Sequence, residues 1–192
     1  MNTPSHLILN LAILGRRATP AWNWPIAIGS VLPDVALFFF YGWAKAMGLP
    51  EREIWSTVYY QPGWQDIFAV GNSIPLALLG LGIALWRRWP RWAVLFGSML
   101  LHHLQDLPVH HDDAHRHFVP LSNVRFQSPI SYWDPARFGA YVALVEWGLV
   151  VVASVVLWRR SRSRWGRFCL VSVNVFYGVM YGLMYLHGGG FA

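Results

Sequence analysis

Six of the eight histidines in this 192-residue chain fall between positions 102 and 117, interleaved with carboxylates. His102 and Asp106 are four residues apart and would share one face of a helix. Pro108 then removes a backbone donor and disfavours helix at Leu107, so the helix should end there. The chain can turn back after it and bring His110 or His111 to the same point. His111 with His115, and Asp113 with His117, repeat the helical spacing. Imidazole nitrogens and carboxylates without thiolates suit Zn²⁺, and also Mn²⁺, Fe²⁺ or Ni²⁺. A hydrolytic centre needs several such ligands and one open position where bound water loses a proton near neutral pH. Two other readings fit the same residues: a His/Asp proton relay and a surface loop whose histidines are simply solvated.

The elements that must position these residues are apolar. Hydrophobic residues make up 55% of the chain and charged residues 12%, about half the charge of an ordinary soluble domain. Twelve Trp, eight Tyr and eleven Phe suit a chain whose amphipathic rings sit at two lipid–water boundaries. The net charge of +6 comes from arginines in tight clusters between apolar runs. That is the pattern of cytoplasmic loops, and it argues against nucleic acid as a partner. Cys169 is the single cysteine, which excludes a disulfide framework and a Cys-based zinc site. The N-terminus has no positive charge ahead of its short apolar stretch, so no cleavable signal peptide is expected.

The expected fold is all-α, one membrane-embedded domain over 1–192: a polytopic bundle of about five spanning helices with an N-terminal half-helix and a His-rich outer loop. Residues 5–15 are too short to cross a bilayer. Spans are expected over 22–43, interrupted by Pro25, Pro33 and Asp34, and over 67–86, 92–108, 138–158 and 168–187. Residues 44–65 have the composition of an interfacial segment. Gly178 and Gly182 would permit close helix contact, more simply within the chain than between copies; the oligomeric state is left open. Arg16 and Arg17, the 87–91 cluster and the 159–167 cluster then fall on one side. The positive-inside rule makes that side cytoplasmic and turns 109–137 outward.

Counting from the arginine clusters at ~1.5 Å per residue places His6, Asp34, Asn72, His102 and Glu146 ~15–23 Å deep, with Asp106 one turn farther out. Polar side chains at one level on five segments are most simply explained if they face one another, because each is costly in hydrocarbon alone. Taken singly, Glu146 or Asn72 could serve a helix–helix hydrogen bond, and Asp34 could cap a helix at a break.

At these residues the chain resembles the YdjM-like family of bacterial inner-membrane metal-dependent hydrolases. The resemblance rests on Thr3-Pro4-Ser5-His6, on Gly29-Ser30-Val31-Leu32-Pro33-Asp34, on Asn72-Ser73 and on His102-x-x-x-Asp106. It extends through Asp106-Leu-Pro-Val-His110, Asp113-Ala-His115-Arg116-His117-Phe118, Pro120-Leu-Ser122, Arg125-Phe126, Ser128-Pro129 and Ser131-Tyr132-Trp133-Asp134. The order His…Asp…His-x-x-x-Asp is similar to that of zinc-dependent phospholipase C, which by analogy implies phosphoester cleavage. Where relatives commonly carry His-Ser, this chain has Asn72-Ser73, so that position loses a ligand or a loop histidine replaces it.

The expectation is therefore a metal-dependent hydrolase of the bacterial inner membrane that acts on a lipid or another amphipathic, phosphate-bearing substrate. The expected metal ligands are His6, Asp34, His102, Asp106 and His110, with His111, Asp113, His115 and His117 holding a second ion or orienting the first set. Asp106 or Glu146 would be the general base. Arg116 and Arg125 would clamp phosphate, with Asn72 and Ser73 beside the substrate. The alternative is a non-catalytic membrane protein, either a small transporter with a His/Asp proton or metal relay or an assembly factor. A transporter requires a polar route to the arginine face, whereas the inner halves of the spans are apolar apart from Asn10 and Asn174.

Overall fold

The computed structural model describes residues 1–16 and 20–186; Arg17 and residue 187 lie outside the described residues. Among the described residues the regular structure is entirely helical. The chain is a polytopic helical membrane protein, with four segments long and apolar enough to cross a bilayer: Asn23–Ala46, Pro62–Trp86, Gly139–Arg160 and Arg164–Leu186. The expected fifth, α7 (Pro90–Asp106), has 17 residues, or ~26 Å. It carries more polar residues than the others because it is the central helix. Neighbours cover its polar face, with Ser98, His102, His103 and Asp106 all buried. Outward faces elsewhere are apolar and uncovered, as at Leu78, Leu79, Val152 and Phe168, which suits lipid rather than water.

Two of the four spanning segments are broken. The first consists of α2 (Asn23–Val31), a 3₁₀ turn Leu32–Asp34, and α3 (Val35–Ala46). Pro33 forces the turn by withholding its backbone donor. After Gly48, whose φ of +73° closes α3 in the left-handed region, a short helical stretch follows: α4 (Glu51–Glu53) and a π turn Ile54–Val58. Its Ile54, Val58 and Tyr59 pack on Phe40, Ala44 and Phe68, so the expected interfacial segment folds back on the bundle. The second broken segment is α5 (Pro62–Gly71) and α6 (Ile74–Trp86), separated at Asn72 and Ser73. The two breaks touch: a Cβ on Gly71 would sit 3.0 Å from the Pro33 carbonyl oxygen.

The half-helix α1 (Thr3–Leu14) is ~18 Å long and does not cross alone. It lies between α2, α7 and α8 (Gly139–Arg160). Asn10 meets Ser98, and His6 meets Asp106, so α1 and α7 run antiparallel. Ile26 meets Ser98 and Ser30 meets His102, so α2 and α7 run parallel. At the far end of α1, Arg160 donates to the carbonyls of Ala12 and Gly15, which brings the first and last arginine clusters together. The last helix, α9 (Arg164–Tyr181), continues into a π turn Gly182–Leu186. Gly178 packs against the Trp147 ring of α8, so its smallness serves contact inside the chain.

One contact sets the distance between α2 and α7. A Cβ on Gly29 would lie 2.2 Å from the Leu95 carbonyl oxygen and 2.9 Å from Ser98 Cβ, so only glycine permits this approach. Gly29→Ala is expected to destabilise the detergent-solubilised protein by about 1–3 kcal/mol, a loss of roughly 3–10 °C in thermal midpoint. Gly42→Ala, where a Cβ meets nothing within 4 Å, serves as the control and should leave the midpoint in place.

Candidate metal centre

Asp106, at the end of α7, is 2% exposed and has imidazoles on three sides. His6 Nε2 lies 3.0 Å from its Oδ1, His102 Nε2 3.0 Å from its Oδ2, and His110 Nε2 3.2 Å from its Oδ1. Asp34 completes the group, with Oδ1 3.6 Å from His102 Nε2. Although Asp34 occupies the cap position of α3, its carboxylate makes no capping hydrogen bond. It accepts instead from the Thr3 hydroxyl at 2.5 Å. The α-amino group of Met1 stands 2.6 Å from Asp106 Oδ1 and 3.0 Å from His110 Nε2, so a positive group is drawn to the same point.

The far side of each ring is already committed. His102 Nδ1 donates to the Ser30 carbonyl at 2.8 Å. Gln105 uses its amide nitrogen to donate to Asn10 Oδ1 at 2.9 Å, which leaves its Oε1 to accept from His6 Nδ1 at 2.8 Å. His110 Nδ1 donates to Asp113 Oδ2 at 2.9 Å. In the neutral form, His6 and His102 therefore present an unprotonated Nε2 to Asp106, whereas His110 faces a carboxylate with each nitrogen and also hydrogen-bonds Asp106 Oδ1 through Nε2. For His6 and His102, Nε2 is buried and makes no hydrogen bond despite the 3.0 Å approach. The carboxylate lies off the line along which the nitrogen points.

Lone pairs crowded against a carboxylate at low dielectric repel, and each unsatisfied buried group costs about 1–3 kcal/mol. The Met1 ammonium serves Asp106 Oδ1 and His110 Nε2 but leaves the buried Nε2 atoms of His6 and His102 unpartnered. A divalent cation at that point would satisfy both. Ligand atoms around an ion at ~2.0–2.1 Å lie ~3 Å from one another; the two His–Asp separations match this, each through a different carboxylate oxygen, while the His6 and His102 rings are stacked with centres 3.7 Å apart. The ligand atoms of His6, His102 and Asp106 all fall within 4.8 Å of one another.

The loop is irregular from 107 to 134, and the helical spacing expected over 111–117 does not form. Instead, backbone and serine hydrogen bonds fold it onto itself. Ser128 N–H donates to the His110 carbonyl, Ser128 Oγ to the Pro108 carbonyl, and Tyr132 N–H to the Val109 carbonyl. His111 is turned aside, with Nδ1 on the Ser128 carbonyl at 2.6 Å and Nε2 3.3 Å from Asp112; it does not join the others. His115 and His117 do approach: His115 lies 5.6 Å from His110 and 5.8 Å from His117, ring centre to ring centre. Burial pushes the His115 imidazole down to about 3, with the neighbouring His110 and His117 adding to the effect. Burial likewise lowers His117. Both are thus neutral at physiological pH, with a lone pair to offer. Burial alone would lower His110, but the Asp106 and Asp113 carboxylates outweigh it and leave it raised.

The remaining expected site residues are placed around this centre, not in it. Glu146 Oε1 accepts from the Asn2 backbone and side-chain amides at 2.9 and 3.0 Å and from Ser5 Oγ at 2.5 Å. It anchors the start of α1, and among the described residues no hydrogen bond or ion pair joins it to an imidazole. Arg116 pairs with Asp66 and Asn123, while Arg125 donates to the Ala114 carbonyl and Gln65 Oε1. Both guanidinium groups therefore pin the loop to α5. The Ser73 hydroxyl donates to the Val119 carbonyl and caps α6. Asn72 accepts His117 Nδ1 on its backbone carbonyl at 2.9 Å. Its own Oδ1 is buried without a partner.

Sequence reasoning found no sign of Ser98 or Gln105, and it marked Thr3 and Ser5 only as part of a motif and Asn10 only as a polar exception in an apolar span. It also passed over His103, which is fully buried with both ring nitrogens unpartnered. Its position beside His102 was visible, but adjacent helical residues point to different faces. Comparison of the chain with family models, curated proteins and solved structures returns no match.

If Gln105 sets the His6 ring, Gln105→Leu should weaken divalent-metal affinity ~10–100-fold, as loss of an orienting partner does, without unfolding the protein. Competition with a metallochromic chelator reads this directly. Wild-type affinity in the variant would show that the ring is held by other means.

Proposed function

We propose that this chain is a multi-pass metal-dependent hydrolase of the bacterial inner membrane, cleaving a phosphoester in a lipid or other amphipathic substrate. The observation that carries the reading is the convergence on the buried Asp106 carboxylate of the His6 and His102 Nε2 atoms, neither of which has a hydrogen-bond partner. His6, His102 and Asp106 hold the ion, and Asp34 and His110 stand beside them. Such an ion, most simply Zn²⁺, acts as a Lewis acid and brings the pKa of bound water near neutrality. Asp34, more open than Asp106 and steadied by Thr3, is the carboxylate best placed to accept the proton. Glu146 keeps α1, and with it His6, in register. The phosphoester preference rests on the family resemblance, since Arg116 and Arg125 already have partners. The amphipathic substrate follows from a site carried on lipid-facing helices.

A second reading, ion transport, draws on the two broken spans, because discontinuous helices frequently build ion sites at mid-membrane. A polar line also descends from His6 through Gln105, Asn10 and Ser98. It ends on the Ile26 carbonyl, short of the arginine end, which favours a fixed site.

Detergent-purified wild-type protein is expected to retain a divalent metal and to hydrolyse a lipid phosphoester such as fluorescent phosphatidic acid. Chelation should abolish turnover and Zn²⁺ restore it, while Asp106→Ala and His102→Ala should lose both metal and at least 100-fold in rate. Equal, substoichiometric metal in all three proteins would overturn the proposal. Orientation has its own test: alkaline phosphatase fused within 110–130 should be active and fusions near Arg88 or Arg162 inactive, with the converse pattern reversing the topology.

A further inference from the structure

At the opposite end of α1 from the His/Asp centre, three arginines line one cavity of about 670 Å³. Arg16 follows α1, Arg160 closes α8, and Arg162 stands in the turn to α9. Asn23, at the start of α2, adds a polar side chain, as do Ser161 and Ser163. No lining residue is acidic, and the segments that supply them, 1–33 and 147–192, contain no Asp or Glu. Arg160 commits Nη1 to the carbonyls of Ala12 and Gly15. Among the described residues, the side chains of Arg16 and Arg162 make no hydrogen bond or ion pair. Ser161 Oγ accepts from the Ser163 N–H and Ser163 Oγ from the Gly166 N–H, which leaves each hydroxyl a proton to donate. A cleft walled by one sign of charge focuses its field on an ion of the other sign. Guanidinium and hydroxyl donors match phosphate oxygens. A general excess of cations on one membrane face requires no cavity; here α1, α2 and the α8–α9 turn enclose one.

We propose that this cavity holds the phosphate headgroup of an anionic phospholipid, as a bound lipid and not as the substrate of the metal centre. Arg16 lies ~15 Å along α1 from His6, so the two sites are separate and this one does not depend on the hydrolase reading. Two features select a lipid over free phosphate. Trp158 and Trp165 are exposed beside the turn, as amphipathic rings are at a membrane surface. A second cavity of about 660 Å³ lies between α8 and α9, walled by Val151, Val155, Val171, Val175 and Val179, and it shares Leu170 with the first. A headgroup held by the arginines therefore has an apolar groove beside it for an acyl chain. Basic pockets between membrane helices hold anionic headgroups in this way.

The test titrates detergent-purified protein with short-chain phosphatidylglycerol, phosphatidylcholine of the same chain length, and glycerol phosphate. Native mass spectrometry counts the bound ligand, and the thermal midpoint reports its effect on stability. One phosphatidylglycerol per chain is expected to bind saturably and raise the midpoint, while the other two ligands at equal concentration do neither. Arg16→Gln combined with Arg162→Gln should weaken phosphatidylglycerol binding about 25-fold, or about fivefold for each basic group at an anionic headgroup. Both side chains are exposed, so the fold should tolerate the change, and the wild-type titration stands without any variant. Arg87→Gln combined with Arg91→Gln removes the same charge from the cluster between α6 and α7 and should leave the affinity in place. Equal losses in the two double variants would reveal diffuse attraction to a basic face and overturn the site. Absence of saturable phosphatidylglycerol binding, or equal binding of phosphatidylcholine or glycerol phosphate, would overturn it as well.

Discussion

The constraint on which this structure turns is the mutual repulsion of buried lone pairs. Asp106 lies at a helix end with almost no access to water, and the rings around it have placed their N–H groups elsewhere. In water such an arrangement would relax at little cost. In a bundle surrounded by lipid it persists only if a positive charge stands at the centre or the surroundings forbid the rings to turn. Every neighbouring feature contributes to the second condition. The Ser30 carbonyl fixes His102, the Gln105–Asn10–Ser98 line fixes His6, and Asp113, itself held by the Trp133 indole, fixes His110.

The two broken spans show how a membrane protein can afford irregular backbone at this level. Hydrocarbon tolerates no unpaired peptide groups, so a break must find internal partners. Here the breaks at Pro33 and at Asn72–Ser73 are set against each other, and the loop supplies what they lack. The Ile74 N–H donates to the His117 carbonyl, Ser73 Oγ to the Val119 carbonyl, and His117 Nδ1 to the Asn72 carbonyl. The same contacts that satisfy the interrupted helix thus aim a histidine. The residues of the long loop signature act in this way: Arg125, Ser128, Tyr132 and Trp133 are ties that hold the loop over the helix ends.

Much of this was legible from residue types and spacing. Apolar runs bounded by arginines were visible in the sequence, and counting helical rise put His6, Asp34, Asn72, His102 and Glu146 at one level with Asp106 a turn farther out. What counting could not supply was azimuth. Glu146 and Asn72 lie near that level but belong to adjacent contacts, because depth fixes a residue's height and not the direction its side chain takes. His103 was hidden for the same reason, one residue from His102 on another face. In the loop, spacing misled: His111 and His115 keep a helical interval, yet Pro108 and the serine bonds from residue 128 impose turns instead. Non-local hydrogen bonds decide such a segment, and no local pattern encodes them.

The half-helix α1 has a further consequence for how the protein is assembled. Twelve residues do not suffice to anchor a segment in a bilayer by hydrophobicity alone. The helix that carries His6 therefore takes its place only once α2, α7 and α8 have formed the slot that receives it. Glu146 is the catch that seats it, through Asn2 and Ser5. The meeting of His6 with Asp106 is thereby withheld from the nascent chain and made only in a bundle whose helices have docked.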